Sequence, residues 1–270
     1  MDLRFFVIYG LLSFFLLIIV FLIQSVKKKR FVFPRFNYSL KKYYLMFLPA
    51  PVAAIIYSFM LRSITPFVLF LFFCIAGIVG EVGFSMWWKQ YYKERFWEYT
   101  TNTLLNKYTS SLNFLAWGVG GFLYLAILDN FPTMHLTEIP FLFIGIFFVI
   151  AFIQLVAFFT VVKFTKINRL FDKVTLVNLF FFFLPALVPL IMLTIRYGVP
   201  VLLLFAAFGV VAALIEYLFG KSIELFLSRK LWAYNYLQKD DGHFTILVVP
   251  AFAFGGFYFW LVYELFKILF

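Results

Sequence analysis

Long apolar runs alternate with short polar ones along this chain, and the runs share a common length. Eight of them, near 5–24, 43–60, 66–86, 112–129, 139–162, 177–195, 199–219 and 245–265, come close to the ~20 residues that a helix needs to cross ~30 Å of hydrocarbon. The pattern predicts an all-α polytopic membrane protein with eight transmembrane helices. No stretch is left over for a soluble domain. The first run lacks a basic leader and an A-x-A-like cleavage site, so it reads as a retained helix rather than a signal peptide.

A second pattern lies over the first. Sliding the chain by 135 positions pairs Glu81 with Glu216, Phe84 with Phe219, Trp97 with Trp232, Tyr99 with Tyr234, and Gly120-Gly121-Phe122 with Gly255-Gly256-Phe257. With slips of a single position, Phe47-Leu48-Pro49-Ala50 is echoed by Phe183-Leu184-Pro185-Ala186, and Arg62 and Pro66 by Arg196 and Pro200. Coincident Trp, Tyr, Glu and Gly-Gly pairs point to a tandem duplication of a four-helix unit, 1–135 and 136–270. An even number of crossings leaves both units facing the same way. The predicted pseudo-two-fold therefore runs along the membrane normal, and the repeats are parallel.

Composition fixes the solvent. Hydrophobic residues make up 65% of the 270 residues and charged residues 13%, against roughly 45–50% and ~25% in soluble domains. The net charge of +11 is a topology signal. Of the 23 Lys and Arg residues, all but Arg4, Arg62, Arg196 and Lys267 fall in four segments, 27–42, 89–107, 163–173 and 221–239. By the positive-inside rule those segments face the cytoplasm and both termini lie outside. Anionic lipid headgroups are natural partners of such loops. Nucleic acid is excluded, because no basic and mostly polar domain exists to hold it.

Within each unit, Pro49 and Pro51, and Pro185 and Pro189, fall inside the second and sixth runs and predict kinks. Gly77, Gly80, Gly83, Gly118, Gly120, Gly121, Gly255 and Gly256 predict close helix contacts. The segments 86–108 and 220–243 mix Trp, Tyr, Lys and Glu, the content of a helix lying in the headgroup layer. Trp97, Tyr99, Trp232 and Tyr234 are its expected interfacial aromatics.

Ionisable groups at membrane depth carry the functional information, since burying one costs several kcal/mol unless it is paired or faces water. Glu81 and Glu216 sit at matched positions and are the candidate substrate- or ion-binding residues. The bland alternative is snorkelling to a nearby base such as Lys89 or Lys221. Arg62 with Asp129, and Arg196 with Glu264, are read as structural ion pairs near the external helix ends. Gln154, Asn113 and Asn178 are read as interhelical hydrogen-bond partners.

Familiar chemistry is sparse. His135 and His243 are expected on opposite sides of the bilayer, so no metal site is predicted. Cys74 stands alone, so no disulfide forms within the chain. No phosphate-binding loop and no nucleophile elbow is present. No cofactor and no catalytic residue is assigned, and any energy source must come from a partner subunit or an ion gradient.

Glu81, Trp97-Glu98-Tyr99-Thr100, Asn102 and Leu112-x-Phe114-x-x-Trp117-Gly118 together resemble the C-terminal region of the ABC-transporter type IV family of membrane proteins. The likeness is local, covering the stretch from Glu81 to Gly118 and its counterpart in the second unit, which keeps Glu216, Trp232 and Tyr234. It implies a permease-like protein. A fainter likeness to lycopene cyclase domains rests on Trp232-Ala233-Tyr234-Asn235 and Tyr263-Glu264.

Three functions remain open, with transport placed ahead of catalysis. The first is a permease-like or lipid-handling transport protein of the cytoplasmic membrane, with a pathway or cavity between the repeats. The second is a membrane enzyme acting on an isoprenoid or other lipid. The third is a structural or regulatory subunit. A water-filled cavity reaching both glutamates favours the first, an aromatic pocket opening sideways to lipid the second, and a solid core the third.

Overall fold

A computed structural model describes residues 3–30, 39–92, 94–131, 136–165 and 175–270. Arg35, Lys93, His135, Lys166, Arg169 and Lys173, which enter the charge and metal readings above, lie outside the described residues. The architecture is helical. In chain order the first half holds α1 (Arg4–Lys28), α2 (Leu40–Phe47), α3 (Pro49–Met60), α4 (Thr65–Tyr92), β1 (Trp97–Tyr99), β2 (Thr103–Leu104), β3 (Thr109–Ser110) and α5 (Asn113–Asp129). The second holds α6 (Glu138–Thr165), α7 (Leu176–Tyr197), α8 (Val199–Leu227), β4 (Trp232–Tyr234), β5 (Gln238–Lys239), a short 3₁₀ turn, β6 (Phe244–Thr245) and α9 (Val248–Leu269).

Among the described residues, seven segments are long and apolar enough to cross a membrane: α1, α2 with α3, α4, α6, α7, α8 and α9. The stretch expected to make the remaining crossing forms α5. Its 17 residues rise only ~25 Å, somewhat less than the hydrocarbon thickness. Outward faces are apolar throughout. On α6, Phe148, Val149, Phe152, Ile153, Val156 and Phe159 are all exposed. Leaving such side chains in water forfeits ~1.5–3 kcal/mol each, so this surface belongs in lipid.

Proline acts differently in the two halves. The run 40–60 breaks at Leu48, and Pro49 takes the first position of α3, where a missing N–H would have had no intrahelical partner anyway. In α7, Pro185 and Pro189 stay inside one helix, and both are buried.

Small residues set the tightest helix contacts. α4 packs along α5, and α8 along α9. A Cβ at Gly121 would land on the Phe73 ring, and one at Gly256 on the Phe208 ring. Phe73 also meets Phe122 edge-on at 5.9 Å, while Phe208 meets Phe257 edge-on at 5.7 Å. Each member of one pair lies half a chain length from its counterpart in the other.

The same offset governs the polypeptide between the helices. β2–β3 pairs Thr103 with Ser110, and β5–β6 pairs Gln238 with Thr245. β1 and β4 then pair with each other, antiparallel, with Trp97 opposite Tyr234, Glu98 opposite Ala233 and Tyr99 opposite Trp232. Flanking bonds extend this ribbon on both sides. Thr100 donates through its amide to Leu231 O (2.9 Å) and through its hydroxyl to Lys230 O (2.6 Å). Asn235 donates through its amide to Phe96 O and through its side chain to Arg95 O, both at 3.0 Å.

The ribbon corrects the expectation of a headgroup-layer helix. α4 runs on through Met86-Trp87-Trp88 to Tyr92, and the aromatic residues that follow it form strand. Tyr99, Trp232 and Tyr234 are buried, and Trp97 is half-buried. The alternation in Trp-x-Tyr puts Trp and Tyr on one face of a strand, and here that face packs onto helices. Phe84 stacks on Trp97 at 5.6 Å, and Phe219 stacks on Trp232 at 5.9 Å.

Candidate functional site

Glu81 lies on α4 and is buried. Three donors converge on it from the segment that follows. Tyr99 of β1 donates its hydroxyl to Oε1, Asn113 at the start of α5 donates Nδ2 to Oε1 at 2.9 Å, and Thr109 of β3 donates Oγ1 to Oε2 at 2.5 Å. Asn113 also donates to the Tyr99 hydroxyl. The hairpin holds these donors in place, and residues 111 and 112 are held in turn by α2, where Tyr44 donates to Ser111 O and Tyr43 to Leu112 O.

Glu216 lies at the matching place on α8. Tyr234 of β4 donates to its Oε1 at 2.5 Å. Its Oε2 is buried and has no hydrogen-bond partner among the described residues. The reason is legible in the chain: at the positions matching Thr109 and Asn113 stand Phe244 and Val248, and neither side chain can donate. Burial pushes the Tyr99 and Tyr234 phenols well above their ordinary range, and the adjoining glutamates act in the same direction. Both therefore serve as neutral donors.

The bases named as snorkelling partners turn elsewhere. Lys221 pairs with Asp240 at 2.6 Å, and Lys89 lies over the Tyr108 ring at 5.8 Å. The carboxyls instead face a shared space. A cavity of about 820 Å³ is lined by both Glu81 and Glu216. Most of its wall is aromatic, including Trp87, Trp97, Trp117, Tyr124 and Trp232, and among the described residues no Lys, Arg or His contributes to it. Gly77, Gly80 and Gly83 of α4 belong to the wall as well, so these glycines do more than let helices touch. A Cβ at Gly77 would meet Trp117, whereas one at Gly83 would meet nothing within 4 Å. Among the lining residues, Val79 of α4 and Phe148 and Phe152 of α6 are 61%, 63% and 69% exposed, so the cavity reaches the apolar outer surface near the middle of both helices.

Away from the cavity, Arg196 and Glu264 find other partners than each other. Arg196 meets Glu138 at 3.9 Å and lies over the Tyr197 ring, while Glu264 meets Lys267 at 2.6 Å and accepts from Trp260 Nε1 at 3.2 Å. Lys267 sits one turn beyond Glu264 on the same helical face, so the local pair forms without a partner from the α7–α8 turn. Arg62 occupies the exposed α3–α4 turn in the left-handed region, and Asp129 ends α5. Gln154 donates to Phe181 O and accepts from Tyr91, and Tyr92 donates to Asn178 at 3.4 Å. His243 is buried, with Nε2 at 2.7 Å from Glu224 Oε2.

The sequence singles out both glutamates and both tyrosines without joining them. The joining signal is the common spacing, 18 residues from Glu81 to Tyr99 and 18 from Glu216 to Tyr234. Apolar helices, a lipid-facing surface and buried carboxyls around an internal cavity define a multi-pass integral membrane protein. No family model, curated protein or solved structure matches the chain.

Proposed function

We propose that the chain is a lipid-handling transport protein of the cytoplasmic membrane, built by tandem duplication of a four-helix unit. Units 1–135 and 136–270 are related by a pseudo-two-fold along the membrane normal. α5 completes the fourth crossing, the ribbon end faces the cytoplasm and both termini face outside. The duplication is supported by contacts that recur at an offset of half the chain: Glu81–Tyr99 with Glu216–Tyr234, Phe84–Trp97 with Phe219–Trp232, and Phe73–Phe122 with Phe208–Phe257. The orientation is supported by the basic residues that crowd the loops at the ribbon end. The resemblance to ABC-transporter type IV membrane proteins adds the permease-like character, with room for a separate energising subunit.

One observation carries the functional reading: a cavity of about 820 Å³, walled by aromatic rings, reaches both glutamates and includes side chains of α4 and α6 that are exposed on the apolar outer surface. Its size lies within the ~300–1,000 Å³ of ligand sites. Its apolar wall suits a lipid and does not suit a hydrated solute, because a polar solute would give up its water for few hydrogen bonds. A lipid enters sideways between α4 and α6, and its polar end reaches the carboxyls.

By the criteria set out above, the aromatic wall speaks for a second reading, a membrane enzyme acting on an isoprenoid or other lipid with a glutamate as general acid, and what keeps transport ahead is that one space reaches both glutamates. Reconstitution separates the two. Vesicles carrying the protein are loaded with a fluorescent lipid, its movement between leaflets is followed by surface quenching, and the lipids are then extracted for mass spectrometry. Movement faster than in protein-free vesicles, slowed by Gly83→Phe, which fills open space on the cavity wall, with the lipid chemically unchanged, is the expected result. A new lipid species would replace transport with catalysis, and unchanged movement with an unaltered lipid would remove both.

A further inference from the structure

The two halves present their glutamates to the cavity unequally. Glu81 has its oxygens engaged by Tyr99, Asn113 and Thr109. Glu216 keeps only the tyrosine, because Phe244 opens β6 where Thr109 opens β3, and Val248 begins α9 where Asn113 begins α5. A buried acceptor without a donor is costly, and more so when charged. Glu216 lines the cavity although Oε2 itself is covered, so a ligand donor supplies the missing bond once the carboxyl turns toward it.

The wall also offers donors. The indole N–H groups of Trp97 and Trp232 are buried and have no hydrogen-bond partner among the described residues, and both residues line the cavity with Glu216. Trp232 stacks on Phe219, one turn from Glu216 on α8. The site thus supplies one acceptor and neutral donors, with no cationic side chain among the described residues. A carboxylate or phosphate head would find no counter-ion among the described lining residues. An ammonium head would satisfy Glu216 but accept nothing from the indoles. A hydroxyl both donates and accepts.

We propose that the cavity selects an uncharged lipid alcohol, a long apolar body ending in a hydroxyl, and that Glu216 Oε2 rather than Glu81 accepts the hydroxyl proton in a hydrogen bond. The inference rests on the lipid-handling reading and names the substrate class within it. Glu81 has a different task, fastening the first hairpin to α4.

The test uses the full chain in phosphatidylcholine nanodiscs, with dibromo-octadecanol, dibromo-octadecylamine, dibromo-octadecanoate and dibromo-octadecane as short-range quenchers of tryptophan fluorescence. The alcohol is expected to quench at about tenfold lower mole fraction than the other three. Phe244→Thr combined with Val248→Asn gives Glu216 the donors that Glu81 already has. This variant is expected to lose the alcohol's advantage while its thermal midpoint stays level or rises. Glu216→Leu serves as a second variant, expected to lose the same advantage while still admitting the alkane. Equal quenching by all four probes in the wild type, or a retained preference in either variant, would overturn the assignment of Glu216 while leaving a lipid-admitting cavity in place. Quenching by every probe no stronger than that of a dibrominated phosphatidylcholine would remove the cavity reading itself.

Discussion

Tyr124 and Phe259 stack on one another at 5.3 Å, although half the chain length separates them, the interval that also separates Glu81 from Glu216. Each reaches across to the other half. Tyr124 meets Phe208 edge-on at 5.5 Å, and Phe259 meets Phe73 edge-on at 5.5 Å. The rings of α5 and α9 thereby knit the middle of the molecule, beside a cavity that both helices help to line.

Unequal hydrogen bonding predicts unequal tolerance. Glu81→Ala strands three buried donors, at ~1–3 kcal/mol each, whereas Glu216→Ala strands one. Thermal unfolding in detergent should show the first substitution lowering the midpoint clearly more than the second. Equal losses would contradict the division of labour between the two carboxyls.

The buried phenols predict a decline in alkali. Tyr99 and Tyr234 titrate higher in the folded protein than in the unfolded chain, so the folded state holds their protons more tightly. Their contribution is intact below about pH 10, the unfolded phenol value, and is lost as pH rises toward their folded values. Midpoints measured between pH 9 and 11 should fall less steeply for Tyr99→Phe with Tyr234→Phe than for the wild type, even though that variant starts lower.

Glycine positions should divide sharply. At Gly121 and Gly256 an added methyl collides with the Phe73 and Phe208 rings, and alanine there should cost ~1–3 kcal/mol through overpacking. At Gly83 nothing lies within 4 Å, so alanine should leave the midpoint unchanged or slightly raised. A comparison of the three variants by thermal unfolding checks the packing directly.

The ribbon's register can be trapped. Glu98 and Ala233 are directly opposed, and opposed residues in antiparallel strands have Cα atoms ~4.5–5.5 Å apart, within disulfide reach. In a Cys74→Ala background, Glu98→Cys with Ala233→Cys should oxidise within one chain, and proteolysis between the halves should leave fragments joined until reduction. Glu98→Cys with Tyr236→Cys, out of register, should join far more slowly.

The helices are legible in the sequence because lipid imposes a simple rule. Runs such as 139–162 and 199–219 must be apolar on nearly every face, and they appear in α6 and α8. The glutamates are legible because a charge inside such a run stands out. The ribbon is hidden, since strands as short as β1 and β4 cannot carry a periodic signal, and Trp97 and Tyr99 sit in a segment whose aromatic and basic content suits a headgroup layer equally well. The pairing of Glu264 departs from expectation for a similar reason. It has Lys267 one turn away, and proximity along a helix outweighs the matched arginine of the other element. The difference between Glu81 and Glu216 is visible in principle: once the offset is known, Thr109 against Phe244 and Asn113 against Val248 can be read from the letters alone.

Because β1 and β4 each come from a different half, the ladder between them ties the ends of α4 and α8 together at one end of the bundle. The two carboxyl-bearing helices are thereby fixed at a set spacing at that end, while α6, which packs on α7 and α9, carries no strand of the ladder.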